Sequence, residues 1–124
     1  MFQVSVEETF SAGHALRGYH GKCENPHGHN YRVRVTLEGP ELDSTGLLCD
    51  FTQLKQVMRG IIGGLDHQFM NDLEAFRTVN PSAENLAKYF HDEITRQLTD
   101  LPAGARVTDT TVWETDTTSA RYRP

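Results

Sequence analysis

The feature that most constrains the fold is a strict alternation of apolar and polar residues over positions 30–37. Its apolar members are Tyr31, Val33, Val35 and Leu37. Because successive side chains of a strand point to opposite faces, this spacing predicts a β-strand with one buried face and one solvated face. Gly39-Pro40 marks its end, since both residues favour turns.

A second alternating stretch begins at residue 2. The residues that share its buried parity are Phe2, Val4, Val6, Phe10, Ala12 and His14. A loop rich in glycine and charge, from about Arg17 to Pro26, separates the two stretches. We therefore predict that they pair as a long antiparallel hairpin.

Apolar residues at helical spacing predict two helices after the hairpin. Their stripes are Leu54, Val57, Met58, Ile61, Ile62 and Leu65, then Leu86, Phe90, Ile94 and Leu98. Thr52 is a candidate N-cap of the first helix, and Asp50 is a second candidate for capping it. Gly63-Gly64 closes that helix, and the next one begins near residues 80–82, where a proline suits the first turn.

Weak alternation over residues 106–114 and a short stretch at 118–123 predict two final strands. The order β-β-α-α-β-β indicates an α+β fold, with a four-stranded antiparallel sheet and two helices on one face. We interpret residues 1–124 as a single domain. Because such a sheet leaves one face and two edges to be covered, we expect a homo-oligomer.

Composition limits the classes of function. The chain of 124 residues is 37% apolar and 23% charged, which is typical of a soluble globular protein. The net charge of -5 argues against nucleic-acid binding. No apolar run is as long as a membrane span, and the N-terminus does not resemble a signal peptide. We expect a cytoplasmic protein with neither membrane nor nucleic-acid partners.

Three histidines carry the strongest chemical signal. His27 and His29 flank Gly28 at the start of the second strand, and their i, i+2 spacing puts both side chains on one face. His14 ends the first strand, so the hairpin brings it opposite the pair. Three neutral imidazoles favour Zn²⁺, with a fourth position open to water or substrate, as in catalytic zinc sites.

Spacing alone leaves other interpretations open. In one interpretation, these are three unrelated surface or core histidines. In another, Cys23 completes a closed structural zinc site, and in a third a zinc-bound water supports a hydrolase. Without a secretory signal, a disulfide between Cys23 and Cys49 is disfavoured, and Cys49 suits packing in its apolar run. We interpret His20 and His91 as solvent-exposed.

Six motifs occur in order along nearly the whole chain. They are Phe10-Ser-Ala-Gly-His14, Cys23-Glu-Asn-Pro-His27-Gly-His29, Gly46-Leu-Leu-Cys-Asp50-Phe51, Leu65-Asp66-His67, Pro81-Ser-Ala-Glu84-Asn85 and Trp113-Glu114-Thr115. With them the sequence resembles the 6-pyruvoyl-tetrahydropterin synthase and 6-carboxytetrahydropterin synthase family. Any one motif is weak, but six in order are highly specific.

This resemblance implies a T-fold, in which subunits join sheet to sheet around a barrel, usually as a hexamer built from a dimer of trimers. It implies zinc on the three histidines and active sites between subunits. It also implies that Cys23 is the catalytic base and that Asp66 and His67 tune it. Glu114 would anchor the pterin ring, and Glu84 would add a contact to the pterin.

The substrate implied by the resemblance is 7,8-dihydroneopterin triphosphate. One family outcome is 6-pyruvoyl-tetrahydropterin; the other is 6-carboxytetrahydropterin, formed with loss of acetaldehyde and triphosphate on the route to queuosine. The short gap between Cys23 and His27 resembles the bacterial 6-carboxy enzymes, so we favour that product. Glu24 indicates a third outcome, an added release of 6-hydroxymethyl-dihydropterin for folate synthesis. By charge alone, Arg17, Lys22 and Lys55 are candidates for binding the triphosphate.

Overall fold

Four strands and two helices follow one another in the predicted order, in a computed structural model that describes residues 1–124. The strands are β1 (Phe2–His14), β2 (His27–Gly39), β3 (Arg106–Thr115) and β4 (Thr118–Tyr122). The helices are α1 (Phe51–Gly63) and α2 (Ala83–Gln97). Short 3-10 turns lie in the connections at Lys22–Glu24, Met70–Asp72 and Glu74–Phe76.

The sheet has the order β1-β2-β3-β4, and every neighbouring pair is antiparallel. The pairing of β1 with β2 runs without a break from Phe2 opposite Gly39 to His14 opposite His27. Between β2 and β3 the register shifts at Thr36 and Leu37. The sheet is open, with β1 and β4 at its edges. The predicted hairpin and the four-stranded antiparallel sheet are therefore confirmed.

One face of the sheet forms the core together with both helices. Phe10 stacks on Tyr31 with ring centroids 4.9 Å apart, and Phe90 of α2 packs against Phe10. The helix α1 lies against β1, whereas α2 lies against β3 and β4. The other fully buried members of this core include Val33, Val35, Leu37, Leu54, Met58, Leu86, Ile94 and Val112. No helix is both long and apolar enough to cross a membrane.

The start of α1 confirms one of its two cap candidates, and the start of α2 differs in detail from the prediction. Asp50, not Thr52, is the N-cap of α1, because its carboxylate accepts a 2.8 Å hydrogen bond from the Thr52 N–H. Thr52 lies inside the first turn and supplies only that backbone donor. Ser82 caps α2 by accepting from the Asn85 N–H, so Pro81 precedes the cap rather than occupying the first turn.

The prediction that His91 is solvent-exposed is wrong. His91 is only 7% exposed, and its ring packs edge-on against Tyr122 of β4 at 5.2 Å. The cause is tertiary, because α2 covers β4 on the side that carries His91. Its Nδ1 lies 3.3 Å from the Asp92 carboxylate on the same helix.

Replacing Asp50 with alanine should lower the free energy of unfolding by about 1 kcal/mol, the usual cost of losing an N-cap side chain. Urea denaturation of the variant against the unmodified protein measures this loss. Thr52→Ala is the matched control, since it keeps the backbone N–H and should leave stability nearly unchanged. A larger loss for Thr52→Ala than for Asp50→Ala would contradict the assignment of the cap.

Candidate metal centre

Three histidine side chains converge at one end of the β1–β2 hairpin. His14 lies directly opposite His27 in the register, and His29 lies two residues further along β2 on the same face. One ring nitrogen from each lies within 4.8 Å of the others. His14 is 1% exposed, whereas His29 is 18% exposed at its side chain. This group can hold a metal ion.

Hydrogen bonds to backbone carbonyls define the tautomers of two of these rings. The Nδ1 of His14 lies 2.7 Å from the carbonyl oxygen of Pro81, and the Nδ1 of His27 lies 2.7 Å from that of Asn25. Because a carbonyl can only accept, each Nδ1 carries the proton. In the neutral rings, the lone pairs are therefore on the two Nε2 atoms, which lie 2.9 Å apart.

Two lone pairs at that separation repel unless a cation lies between them. A proton shared between the Nε2 atoms of His14 and His27 would leave His29 without a partner. A metal ion can bind all three rings. The Nε2 of His29 is buried and has no hydrogen-bond partner. Burial lowers the pKa of His29, against the opposing charge of Glu114, and so favours the neutral ring that a metal requires. The three side chains therefore fit a metal ion with nitrogen ligands.

The two orienting carbonyls come from separate segments that the sequence analysis missed. Asn25 precedes Pro26, which restricts Asn25 to an extended backbone, and Asn25 has φ -78 and ψ 145. Pro81 lies just before the cap of α2, so its carbonyl is not used within the helix. A carbonyl has no side-chain signature, and the Asn25-Pro26 pair was the one available signal. Metal-bound histidines commonly use such partners at the second ring nitrogen.

Glu114 of β3 lies beside the same histidines. Its Oε1 is 4.0 Å from the Nε2 of His14, and its Oε2 is 3.9 Å from the Nε2 of His29. The neighbouring Trp113 points to the opposite face of the sheet, where the Arg32 guanidinium lies 4.2 Å from the centre of its ring. The sequence predicted a functional Glu114, but gave no signal that its carboxylate adjoins the histidines.

Asp66 and His67 are held against β1. The His67 N–H donates to the Ser11 carbonyl at 2.6 Å, and the Gly13 N–H donates to the Gln68 carbonyl at 2.9 Å. The Asp66 carboxylate accepts from the Ser11 N–H at 2.9 Å and lies 3.0 Å from the Nδ1 of His67. These two contacts, the backbone one foremost, lower the pKa of Asp66.

His67 is an exposed residue in an uncommon backbone conformation. Its φ of 60 lies in the left-handed region, and its side chain is 81% exposed. A cavity of about 520 Å³ is lined by both His67 and His29. Gly13 and Gly28, which pair directly in the hairpin, line the same cavity. His67 and one of the three histidines of the metal site therefore face one space.

Two asparagines that the sequence analysis did not single out hold the loop after β1. Asn71 accepts from the Ala15 N–H at 2.9 Å and donates to the Ala15 carbonyl at 2.8 Å. Asn80 makes the same pair of bonds with Arg17, at 2.9 and 3.0 Å. These side chains imitate strand pairing and so keep the chain beyond His14 in place.

Comparison with known proteins accounts for this arrangement. A family model described as 6-pyruvoyl tetrahydropterin synthase matches residues 3–124. The chain belongs to this family. The resemblance found in the six sequence motifs is thereby confirmed.

Relatives within the 6-pyruvoyl tetrahydropterin synthase family carry two names. The 6-carboxy-5,6,7,8-tetrahydropterin synthase of Bacillus subtilis is 34% identical, over 99% of this chain and 86% of the relative. The human 6-pyruvoyl tetrahydrobiopterin synthase is 35% identical, over 98% of this chain and 90% of the relative. Similarity to named relatives therefore does not separate the two activities.

A solved structure from the same family confirms the predicted T-fold. The 6-pyruvoyl tetrahydropterin synthase of Caenorhabditis elegans superposes with a TM-score of 0.87 at 29% identity. The match covers 99% of this chain and 95% of that protein. The open antiparallel sheet with two helices is thus the fold of this family.

The remaining residues that the family resemblance selects make no hydrogen bond to the three histidines, whose ring partners are Pro81, Asn25 and one another. Cys23 lies in the 3-10 turn Lys22–Glu24 as a half-buried free thiol, and its carbonyl accepts from the Leu16 N–H at 2.8 Å. Glu24 and Glu84 are exposed, and their carboxylates make no hydrogen bond or ion pair.

Other charged and thiol residues have structural contacts. Cys49 is buried and free, so it forms no disulfide with Cys23, and burial raises the pKa of its thiol. Arg17 donates to the carbonyls of Asn71 and Phe76 at 3.1 and 2.7 Å. These hydrogen bonds hold a loop together and occupy the donors of one guanidinium nitrogen, Nη2.

Alanine at His14, His27 or His29 should weaken zinc binding by more than about 100-fold, since loss of an outer-shell partner alone costs about 10–100-fold. Competition with a chromophoric chelator measures the affinity. His20→Ala is the matched control, because His20 is an exposed loop histidine and should keep full affinity. Unchanged affinity in His29→Ala would show that His29 is not a ligand.

Proposed function

We propose that the protein is a zinc-dependent 6-carboxy-5,6,7,8-tetrahydropterin synthase. As a lyase, it would convert 7,8-dihydroneopterin triphosphate and one water molecule to 6-carboxytetrahydropterin, acetaldehyde and triphosphate, on the route to queuosine. The observation that carries the proposal is the convergence of three histidine side chains that can hold a metal ion. One of them, His29, lines a cavity that His67 also lines. The short gap between Cys23 and His27, which resembles the bacterial 6-carboxy enzymes, supports the choice of product.

The metal site is proposed to bind the side chain of the substrate. A zinc ion held by the three histidines supplies Lewis acidity toward the side-chain hydroxyls, which makes the adjacent protons more acidic. The protein keeps His14 and His27 oriented through their carbonyl partners, Pro81 and Asn25. His29 contributes a ring that burial keeps neutral.

Proton transfer is assigned to Cys23 and His67. Cys23 precedes His27 by four residues, and its turn is bonded to Leu16, two residues beyond His14. Its thiolate would remove a proton from the substrate side chain. The Asp66 carboxylate accepts from the Nδ1 of His67, which leaves the other ring nitrogen free to accept and return protons.

Acidic residues are proposed to recognise the pterin ring. A carboxylate accepts paired hydrogen bonds from the amino group and ring N–H of a pterin, and Glu114 adjoins the metal site. Glu84, exposed in the first turn of α2, is a second candidate contact. Glu24, beside Cys23, is a third.

The open sheet supports an oligomeric enzyme. Both β1 and β4 are unpaired at their outer edges, and a strand edge of this kind pairs readily with another chain. We propose a hexamer, a dimer of trimers, with active sites between subunits in the cytoplasm. In that arrangement, residues that are distant in sequence meet across the interface between subunits.

The second candidate activity is that of a 6-pyruvoyl-tetrahydropterin synthase, favoured by the similarity to the human relative. It differs by retaining all the side-chain carbons. Incubating the zinc-loaded protein with 7,8-dihydroneopterin triphosphate and identifying the products separates the two. We expect 6-carboxytetrahydropterin and acetaldehyde. A 6-pyruvoyl product without acetaldehyde would contradict the proposed reaction.

Cys23→Ala should keep zinc and lose turnover by about 10²–10⁴-fold, the usual contribution of a general base. Cys49→Ala is the matched control and should keep turnover, since that thiol is buried in the core. Zinc content and product formation are measured on the same samples. Loss of zinc from Cys23→Ala would instead favour the closed structural site of three histidines and one cysteine.

A dual activity, with release of 6-hydroxymethyl-dihydropterin, rests on the exposed Glu24 next to Cys23. Glu24→Ala should remove that product and leave 6-carboxytetrahydropterin formation largely intact. The exposed loop residue Glu41 provides the control substitution, Glu41→Ala. If Glu24→Ala forms as much 6-hydroxymethyl-dihydropterin as the unmodified protein, the dual activity does not depend on this carboxylate.

A further inference from the structure

The hydroxyl of Tyr31 is a buried polar group without a partner. Tyr31 is 0% exposed, and its hydroxyl makes no hydrogen bond. The ring is held on both sides, because it stacks on Phe10 at 4.9 Å and packs edge-on against His14 and His29 at 5.9 and 5.4 Å. A buried hydroxyl that bonds to nothing costs free energy in the folded state. Tyr31 therefore carries a hydroxyl that the core does not need.

Glu114 lies opposite Tyr31 in the sheet. Arg32 of β2 pairs with Trp113 of β3 in an antiparallel register, so the next two residues, Tyr31 and Glu114, face each other on the side of the histidines. The Cβ atoms of such a pair are about 4.5–5.5 Å apart. The Glu114 carboxylate also lacks a hydrogen bond, since its contacts with histidine nitrogens, at 3.9 and 4.0 Å, are too long.

The other groups around Tyr31 cannot accept its proton. Phe10 has no polar atom, and the Nδ1 of His14 is bonded to the Pro81 carbonyl. The Nε2 atoms of His14 and His29 belong to the group that can hold a metal ion. Burial, and then the charge of Glu114, raise the pKa of Tyr31, so its hydroxyl stays protonated and able to donate. The Glu114 carboxylate is the acceptor within reach.

We propose that Tyr31 is a positioning residue, whose hydroxyl donates a hydrogen bond to the Glu114 carboxylate when a pterin occupies the site. The inference rests on the proposed function, in which Glu114 accepts from the amino group and ring N–H of the pterin. An ionised carboxylate has about four lone-pair sites, so it accepts from Tyr31 and from both pterin donors together. The bond holds the carboxylate in the plane that paired recognition requires.

Tyr31→Phe removes only the hydroxyl, and its two effects should differ in sign. Without ligand, the urea midpoint of the zinc-loaded protein should stay the same or rise, because no hydrogen bond is lost. The affinity for neopterin, measured by titration calorimetry, should fall about 10–100-fold, the range for a hydrogen bond to a charged group. A lower midpoint with unchanged affinity would assign a structural role to the hydroxyl and overturn the proposal.

Tyr89→Phe is the matched control for both measurements. Tyr89 is a half-buried tyrosine of α2 that packs against Phe76 at 5.2 Å, and its loss of a hydroxyl should leave neopterin affinity unchanged. With 7,8-dihydroneopterin triphosphate, Tyr31→Phe should raise KM and leave kcat nearly unchanged, because the ring is held equally before and during the reaction. A fall in kcat at unchanged KM would contradict a positioning role.

A Glu114→Ala background tests whether the hydroxyl acts through Glu114. Without the carboxylate, adding Tyr31→Phe should change neopterin affinity by less than about twofold, the usual error of additivity. A loss as large as in the unmodified background would show that the hydroxyl contacts something else, and would overturn the proposal.

A crystal structure of the zinc-loaded, unmodified protein with neopterin gives a measurement that needs no variant. We expect the Tyr31 hydroxyl oxygen about 2.5–2.7 Å from a Glu114 oxygen, as in other bonds from a hydroxyl to a carboxylate. Neopterin bound at Glu114 with the Tyr31 hydroxyl still unpaired would overturn this proposal and leave the proposed function standing. If the unmodified protein does not bind neopterin, both are wrong.

Discussion

The site depends on two hydrogen bonds from histidine rings to backbone carbonyls. Pro81 and Asn25 accept from the Nδ1 atoms of His14 and His27, so both rings present Nε2 lone pairs to the same point. Rotation of either ring would remove its lone pair from that point. The 2.9 Å approach of the two Nε2 atoms follows directly, and a cation is the species that stabilises it.

The rest of the fold keeps those partners in place. The unbroken β1–β2 register puts His14 opposite His27, while Asn71 and Asn80 hold the chain that follows β1. The segment with Asp66 and His67 is bonded to β1, which brings His67 to a cavity that His29 also lines. The proposed metal ligands and the proposed acid–base pair are thereby connected through β1.

Local patterns predicted much of this arrangement, and long-range pairing explains the rest. The strands and the placement of the three histidines follow from side chains that alternate with a period of two residues. The helices follow from the apolar stripes that begin at Leu54 and Leu86. Predicting the burial of His91 required knowing that α2 covers β4. Predicting the position of Glu114 required the β2–β3 register. That register joins two strands separated in sequence by both helices, and it contains a bulge. Of the two carbonyl partners, that of Pro81 has no residue-type signature, and that of Asn25 had only the Asn25-Pro26 pair as a signal.

The most direct test of the account is the tautomer of each ring, measured by long-range ¹⁵N–¹H NMR before and after one equivalent of zinc. We expect His14 and His27 to carry the proton on Nδ1 in the zinc-loaded protein, with their Nε2 resonances shifted by the metal. His29 should show one metal-shifted nitrogen as well. Protonated Nε2 atoms on His14 and His27 that do not respond to zinc would contradict the account.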